Sequence, residues 1–319
     1  MYKKMLVPMD GTRLGETAIP YVKDLSRRLG LDIIIFHVCS PKERRLTKMH
    51  QAYVDRIAEI LRRKAIKFQQ VNGFQSRGTT IISKGKLTTG YPAEQIINYV
   101  DEYGVDFILM ATHGYSGIKR LTSGSVADKV IQTSKVPVLL VRDGIPDEIS
   151  YDKWPQKTIV VLLDGSKLAE SVLPHVKALA KQRGTEPVDI VLLRVCDRPL
   201  ISSSYPKTSM TIDRKEHVKK AITLFKQESE QYLTSIGQQL NDNGLIVKPK
   251  ILFGNPAKEI INYTNRHPYS LIVMATHGRS GLIRWALGSV ADRILHEGSS
   301  PIFLVRPHKP KNGSNQTTN

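Results

Sequence analysis

Cysteine is scarce in this chain, with two residues among 319. Two cysteines cannot build the disulfide framework that small secreted domains depend on. Cys39 and Cys196 each follow a valine at the end of an apolar run ("FHVC" and "LRVC"), so they look like one position in two copies of a repeat. We therefore expect two free thiols.

Long apolar runs are also missing, since none reaches the roughly 20 residues that a membrane helix needs. The opening residues, "MYKKMLVPMD", lack the apolar region and the small-residue cleavage site of a secretory signal. These absences predict a cytoplasmic protein that does not enter a membrane.

Acidic residues are fewer than basic ones: the chain has 29 Asp and Glu and 47 Lys and Arg, which gives a formal net charge of +18. A surface of that charge attracts polyanions such as nucleic acid, acidic lipid or phosphate ligands. The densest basic stretch, residues 42–68, has a helical pattern and also carries Asp55 and Glu59. This mixture favours a solvated helix face, and nucleic-acid binding is the less favoured interpretation.

What the chain does contain is an internal repeat. Residues 110–130 read "MATHGYSGIKRLTSGSVADKV", and residues 274–294 read "MATHGRSGLIRWALGSVADRI", with thirteen of the twenty-one positions identical. Other segments recur in the same order, including "VPMDGT" and "VLLDGS", and "GYPAEQIINYV" and "GNPAKEIINYT". A repeat of this length indicates two copies of one folded unit.

Within each copy, apolar runs alternate with amphipathic segments. The five runs of the first copy are "KKMLVPM", "LDIIIFHV", "TTIISK", "VDFILMAT" and "VPVLLVR", and the second copy has "KTIVVLL", "VDIVLLRV", "VKPKILF", "SLIVMAT" and "SPIFLVR". Alternating strands and helices predict parallel strands joined by crossover helices, and continuous apolar runs indicate a sheet covered on both faces. Pro20 and Pro174 stand at matching places inside the first helix, where we expect kinks.

The fold class predicted is therefore α/β, with two tandem doubly wound domains of a Rossmann-like kind, each with a five-stranded parallel sheet. We place the domains at residues 1–142 and 157–307, with a linker at 143–156 and a disordered tail at 308–319. The second copy has an additional Ser- and Pro-rich stretch after its second strand, which we expect on the surface.

Three repeated features fall at strand carboxyl ends, where open parallel sheets bind ligands: an aspartate after the first strand, Val38 or Val195 at the end of the second, and a glycine loop after the fourth. Asp10 and Asp164 follow the first strand, and a carboxylate there could accept hydrogen bonds from a ribose hydroxyl or an adenine amino group. A glycine loop leaves the fourth strand and runs into a helix that begins at Ser125 or Ser289. Glycines before a helix N-terminus suit phosphate, and the serine could both cap the helix and bind a phosphate oxygen.

These residues resemble the universal stress protein family, in its tandem form with two domains per chain. The phosphate motif of the family's ATP-binding members is Gly, two residues, Gly, nine residues, then Gly-Ser or Gly-Thr. Here the two copies align from Ala111 and from Ala275, so alanine replaces the first glycine in both.

The resemblance implies that each copy holds ATP, with or without Mg²⁺, between the strand ends and the loop. In the first copy it assigns the contacts to Pro8, Asp10, Val38, Met110, Ala111, Gly114, Gly124, Ser125 and Val126. In the second copy it assigns them to Asp164, Val195, Met274, Ala275, Gly278, Arg279, Gly288, Ser289 and Val290. Arg279, which replaces Tyr115 of the first copy, could contact phosphate directly. The two sites cannot be ranked from the sequence alone.

The same resemblance implies that the closing strands of the two copies pair with each other as an internal pseudo-dimer, and a homodimer of whole chains is consistent with it. The chain lacks a Walker loop and the His-Glu-x-x-His metal motif, so no catalytic or metal-binding residue is predicted. His113 and His277 are expected to support the loop through a backbone hydrogen bond. The leading hypothesis is an ATP-binding stress-response sensor or regulator with little turnover, and a nucleotide-free interaction module and a slow ATPase remain as alternatives.

Overall fold

A computed structural model describes residues 2–71, 81–112, 125–142, 158–181, 188–197, 211–241, 245–268, 270–277 and 287–307. The predicted linker and the predicted disordered tail lie outside these residues. Among the described helices, none is both long enough and apolar enough to cross a bilayer.

Apart from a 3-10 helix described in the first copy only, the two copies contain the same succession of strands and helices. The elements of the first are β1 (Lys4–Pro8), α1 (Arg13–Glu16), α2 (Ile19–Leu29), β2 (Asp32–Cys39), a 3-10 helix (Pro41–Leu46), α3 (Thr47–Val71), β3 (Ser83–Thr89), α4 (Pro92–Tyr103), β4 (Phe107–Thr112), α5 (Ser125–Thr133) and β5 (Val138–Arg142). Those of the second are β6 (Thr158–Leu162), α6 (Lys167–Glu170), α7 (Leu173–Lys181), β7 (Asp189–Cys196), α8 (Thr211–Asn241), β8 (Ile246–Phe253), α9 (Pro256–Asn265), β9 (Ser270–Ala275), α10 (Ser289–Glu297) and β10 (Ile302–Val305).

All ten strands form one sheet, in the order β3-β2-β1-β4-β5-β10-β9-β6-β7-β8. Neighbours within each copy are parallel. The two closing strands, β5 and β10, are antiparallel, with Phe303 opposite Leu139. The tandem doubly wound fold is confirmed, and the closing strands pair between the copies as expected.

Apolar side chains cover both faces of the sheet, as the continuous apolar runs predicted. One core contains side chains of α2, α3, α7 and α8, and the other contains side chains of α4, α5, α9 and α10. Along β2, Ile33 and Ile35 belong to the first core, while Ile34 and Phe36 belong to the second. Both cores run through the two copies, because the sheet is continuous across β5 and β10.

Two of the expected local structures were wrong. The third strand of the first copy lies at Ser83–Thr89, so it shares only the last two residues of the "TTIISK" run, because its partner β2 pairs Ile33 with Ser83 and Cys39 with Thr89. The first helix of each copy is interrupted rather than kinked: α1 and α6 end before a turn, and Pro20 and Pro174 then lie in the first turn of α2 and α7. A proline is tolerated there because the first N–H groups of a helix have no partner inside it.

Polar contacts also join the copies. The Tyr2 hydroxyl lies 2.6 Å from His175 Nδ1, across the sheet seam. Arg142, at the end of β5, donates to the carbonyl oxygens of Ile294, Leu295 and Gly298 at the end of α10. In return, Arg306 Nη1 donates to the carbonyl oxygen of Gln132 in α5 at 2.6 Å. Each copy thus sends one arginine to the last helix of the other.

Candidate functional site

The two aspartates that follow β1 and β6 have the same local geometry. Asp10 Oδ1 accepts from the Thr12 N–H at 3.0 Å and from Thr12 Oγ1 at 2.6 Å. Asp164 Oδ1 accepts from the Ser166 N–H at 2.9 Å and from Ser166 Oγ at 2.6 Å. Thr12 and Ser166 also cap the short helices α1 and α6. The turn therefore fixes one carboxylate oxygen of each aspartate at the carboxyl edge of the sheet.

A cavity of about 540 Å³ opens beyond the strand ends of the second copy. This volume falls in the usual range of small-molecule sites, which is about 300–1,000 Å³. Seven predicted residues line it: Asp164, Val195, Met274, Ala275, Gly288, Ser289 and Val290. The sheet and α10 thus bring together residues that lie more than a hundred positions apart in the chain.

One end of this cavity is the N-terminus of α10. Gly288 occupies the N-cap position and its N–H is bonded to the Thr276 carbonyl oxygen at 2.9 Å, while no side chain caps the helix. Ser289 is the first helical residue, so the expected serine cap is wrong in this copy. The N–H groups at the start of a helix lack partners inside it and lie at its positive pole, which favours an anion in front of them.

The alanine that replaces the family's first glycine has a structural explanation in the second copy. Ala275 is the last residue of β9 and pairs with Val305 of β10. A strand residue needs no left-handed backbone, so a methyl group is compatible with this position. Ala275 lies in the cavity wall, and Ala111 has the matching place in β4 opposite Val141.

The described candidates of the first copy lie at equivalent points. Val38, Met110 and Val126 border the same core face, and Ser125 is the first residue of α5. Pro8 ends β1, where Leu162 ends β6 and lines the cavity of the second copy. Gly114, Gly124, Gly278 and Arg279 lie outside the described residues, as do His113 and Tyr115.

The histidine of the second copy lines the cavity. Its Nδ1 lies 3.0 Å from the hydroxyl of the neighbouring Thr276. The expected backbone hydrogen bond of His277 therefore remains a prediction, since this contact is to a side chain.

Sequence reasoning missed the wall supplied by α8. Ala221, Leu224, Phe225 and Glu228 line the cavity from this helix. Their spacing of three and four residues is the periodicity of one helix face, so the pattern was present in the sequence. The sequence analysis assigned no site residue to this helix, because it interpreted the preceding Ser- and Pro-rich segment as a surface insertion.

A half-buried tyrosine on the same helix joins α8 to α6. The Tyr232 hydroxyl donates to Glu170 Oε1 at 3.3 Å, and Tyr53 donates to Glu16 at 3.0 Å in the first copy. Burial, and then the nearby Glu170 carboxylate, raise the pKa of Tyr232 well above its usual range. The phenol therefore stays protonated and serves as a donor that ties α8 to α6.

A second group of potential ligand atoms was also missed. His37, Cys39 and His50 each offer one ligand atom, and these atoms lie within 4.8 Å of one another. The signal was the alternation of β2, which places His37 and Cys39 on one face of the strand. His50 gave no signal, because it lies in the basic helix that was interpreted as a solvated face.

The fold defines a tandem α/β protein of the Rossmann-like kind, built from two copies of one unit. The sequence profile of the universal stress protein family matches residues 1–142 and 156–306. The chain belongs to this family, as the resemblance implied.

Known relatives correspond mostly to one copy. The chain is 27% identical over 148 residues to universal stress protein YxiE of Bacillus subtilis, a match that covers 44% of this chain and 100% of the relative. It is 27% identical over 155 residues to universal stress protein MJ0577 of Methanocaldococcus jannaschii, covering 44% of this chain and 96% of the relative.

Solved structures match the whole tandem fold. A universal stress protein from Archaeoglobus fulgidus is 20% identical with a TM-score of 0.59, covering 95% of this chain and 98% of that one. A functionally unknown protein from Pseudomonas aeruginosa is 14% identical with a TM-score of 0.63, covering 96% and 93%. Identities this low establish the fold and not the ligand.

Proposed function

We propose that the second copy binds an adenine nucleotide, ATP, and that the chain acts as a nucleotide-dependent sensor or regulator of the stress response with little turnover. The observation that carries this proposal is the cavity of the second copy. It combines a fixed carboxylate, apolar walls and an uncapped helix N-terminus at the carboxyl edge of a parallel sheet.

The adenosine part of the ligand fits the side of the cavity formed by β6, β7 and β9. Val195 and Met274 offer apolar surfaces for a flat base. Asp164 has one oxygen held by the turn at Ser166, which orients the carboxylate toward a hydroxyl or amino donor of the ligand. An ionised acceptor makes a stronger hydrogen bond than a neutral one, so this residue would contribute to both affinity and specificity.

The phosphates fit the side formed by α10. The N–H groups of Ser289 and Val290 lie in its first turn, and the Ser289 hydroxyl is exposed beside them. Asp197 and Glu228 also line the cavity and are oxygen ligands suited to an accompanying Mg²⁺ ion. Arg279 lies just beyond the described residues and would add a positive charge to the phosphate side.

Slow turnover is consistent with the composition of the cavity. Among the described lining residues there is no lysine of the kind that a Walker loop places against the phosphates. His277 is the one described histidine in the wall, and its Nδ1 is engaged with Thr276. Binding without efficient hydrolysis is what a sensor needs, because the bound nucleotide must persist long enough to report its concentration.

The experiment begins with the purified full chain. Denaturation, followed by chromatography and mass spectrometry, would identify and count any nucleotide carried through purification, and calorimetry with ATP and Mg²⁺ would give the affinity. Asp164→Asn keeps the hydrogen bonds of the turn and removes the charge. Loss of a hydrogen bond to a charged group costs about 1.5–3 kcal/mol, so ATP binding should weaken roughly 10- to 100-fold.

Asp10→Asn is the matched control, because it makes the same change in the same turn of the first copy. It should leave the affinity of the second copy unchanged, and any weaker second binding event that it abolishes belongs to the first copy. Absence of both carried nucleotide and calorimetric binding would refute the proposal and favour the nucleotide-free interaction module. Release of phosphate from ATP at the turnover rates typical of enzymes, about 1 per second or faster, would instead favour the ATPase.

A further inference from the structure

Three side chains of the first copy converge at the carboxyl end of β2. His37 and Cys39 project from one face of the strand, the face covered by α3. His50 lies on α3 one turn before the buried Val54, so it faces the same core. The His37 and His50 rings are stacked, with centroids 4.4 Å apart and an angle of 16° between their planes.

The hydrogen bonding of His37 fixes which ring nitrogen carries a lone pair. Its Nδ1 lies 2.7 Å from the Met9 carbonyl oxygen, and a carbonyl can only accept, so Nδ1 carries the proton. Nε2 is then an acceptor, yet it is buried without a hydrogen-bond partner among the described residues, and His37 is only 4% exposed. A buried lone pair that has no donor is unfavourable unless a further group occupies the space in front of it.

His50 presents the same feature. Its Nε2 is also buried without a hydrogen-bond partner among the described residues, although the side chain as a whole is only half-buried. The half-exposed edge of His50 gives an ion a route from solvent. Cys39 completes the group with a free thiol that is 1% exposed.

We propose that His37, Cys39 and His50 bind a borderline-soft divalent metal ion, Zn²⁺, independently of nucleotide at the second copy. Two imidazoles and a thiolate are ligands that zinc prefers over oxygen-seeking ions such as Mg²⁺. The hydrogen bond from His37 Nδ1 to a backbone carbonyl is the usual support of a zinc-bound histidine, because it holds the ring with Nε2 toward the metal.

The geometry requires a small closure of the site. Zinc bonds of about 2.0–2.3 Å in a tetrahedron separate the ligand atoms by roughly 3.3–3.6 Å, against the limit of 4.8 Å found here. Stacked rings cannot both direct a lone pair at one ion, so one imidazole must rotate about χ2, a torsion with a broad energy profile in histidine. Three protein ligands leave a fourth position for water.

The second copy provides a natural control. Tyr53 and Tyr232 make the same hydrogen bond to Glu16 and Glu170, so His50 and Ser229, each three residues earlier, are equivalent. The strand equivalents of His37 and Cys39 are Arg194 and Cys196. The Arg194 guanidinium lies 4.9 Å from the centre of the Phe225 ring and 5.2 Å from that of Tyr232, so a cation fills the place where the first copy would hold a metal.

The test uses the untagged full chain, reduced and freed of metal with a chelator. Titration with Co²⁺, a spectroscopic substitute for Zn²⁺, should give one ion per chain, the visible bands of tetrahedral cobalt and a thiolate-to-cobalt charge-transfer band, all reversed by Zn²⁺. Zn²⁺ should also raise the melting temperature, since a ligand that binds only the folded state stabilises it.

Two variants assign the ligands. His50→Ser introduces the residue of the second copy and should weaken binding more than about tenfold, which is the lower end of the loss seen when even a supporting residue of a metal site is removed. Cys39→Ser should abolish the charge-transfer band. Cys196→Ser, the matched thiol of the second copy, should change neither.

Failure of the wild-type chain to bind Co²⁺ would overturn the proposal, as would a charge-transfer band lost equally in Cys39→Ser and Cys196→Ser. Retention of full affinity in His50→Ser would also overturn it. That variant changes a half-buried residue and can be checked by circular dichroism, so it decides the question even if Cys39→Ser does not fold. None of these measurements depends on ATP, so their outcome neither supports nor contradicts the nucleotide proposal.

Discussion

Among the described polar contacts between the two copies, those made by Arg142 should contribute most to the free energy of unfolding. Its side chain is 2% exposed, and it donates to three carbonyl oxygens at the end of α10, including that of Ile294 at 2.9 Å. The carbonyls in the last turn of a helix lack full pairing inside the helix and form its negative pole. A guanidinium there both donates hydrogen bonds to these carbonyls and places a positive charge at the negative pole. Burial lowers the pKa of Arg142 to about 10, which still leaves the side chain charged at neutral pH.

Replacing this residue by leucine should destabilise the whole sheet. The Ile294 carbonyl oxygen keeps its hydrogen bond from the Gly298 N–H, but each carbonyl that is left buried without a donor costs about 1–3 kcal/mol, and the apolar surface of the leucine offsets part of the sum. Removing one partner of a buried charged contact typically costs about 3–5 kcal/mol, so we expect Arg142→Leu to lower the free energy of unfolding by that amount. For units of about 150 residues, this corresponds to a melting temperature lower by roughly 6–20 °C.

Arg306→Leu is the matched control, because Arg306 makes the reciprocal contact from β10 with a single hydrogen bond at a partly exposed position. We expect it to cost less than about 1 kcal/mol. Urea unfolding followed by circular dichroism would measure both variants, and calorimetry would show whether the copies still melt together. Equal effects of the two substitutions, or an Arg142→Leu variant within about 0.5 kcal/mol of wild type, would refute the reasoning.

The remaining predictions concern two glycines and one carboxylate. Gly85→Ala should destabilise the fold by about 1–3 kcal/mol, since the added Cβ would lie 2.7 Å from the Asp55 backbone nitrogen on α3. Gly237→Ala, inside α8 with only Val247 nearby at 3.7 Å, should instead stabilise it by up to about 1 kcal/mol, and urea unfolding distinguishes the two signs. Hydrogen bonds from Arg62 and Arg63 of α3 lower the pKa of Glu59 to about 2. The stability that these bonds add to the folded state is therefore complete above the ordinary carboxyl pKa and is lost as the pH falls toward 2. Carbon-13 NMR would follow this titration, and a midpoint near 4.5, the unperturbed value, would contradict it.

The elements predicted correctly are those that bury a continuous apolar face. The strands of the sheet centre, such as Phe107–Thr112 and Ser270–Ala275, are covered on both sides, so composition alone marks them. The start of α4 and α9 at Pro92 and Pro256 also followed from local chemistry, because proline suits the first turn of a helix. The pairing of β5 with β10 was implied by the family resemblance rather than by the residues alone.

The misplaced strand had no such marker. β3 reads "SKGKLTT" and lies at the edge of the sheet, where charged residues and a glycine are tolerated and β-propensity is a weak guide. Its position is decided by the register with β2 and by the close approach of α3 at Gly85. Both are tertiary constraints, which no pattern within the strand itself reveals.

Arg142 was missed for a similar reason. An arginine that ends an apolar strand normally marks the return to solvent, and Arg142 and Arg306 occupy the same place in "VLLVR" and "IFLVR". The reciprocal contacts are not equally buried, because Arg142 reaches three carbonyls under the end of α10 while Arg306 reaches one in α5. The sequence repeat thus indicates that the two arginines are equivalent, and the packing around them makes them unequal.

The same divergence governs the candidate sites. The two copies share the backbone that ends β2 and β7, and three equivalent positions there carry His37, Cys39 and His50 in one copy and Arg194, Cys196 and Ser229 in the other. In the first copy these positions place two buried imidazole nitrogens, neither with a hydrogen-bond partner among the described residues, within 4.8 Å of a thiol. In the second, a guanidinium lies against two aromatic rings, and Phe225 also lines the cavity. Because a guanidinium cannot donate a lone pair to a metal and a histidine pair cannot supply that fixed positive charge, the two copies cannot do the same chemistry at this position, although the fold around it is the same.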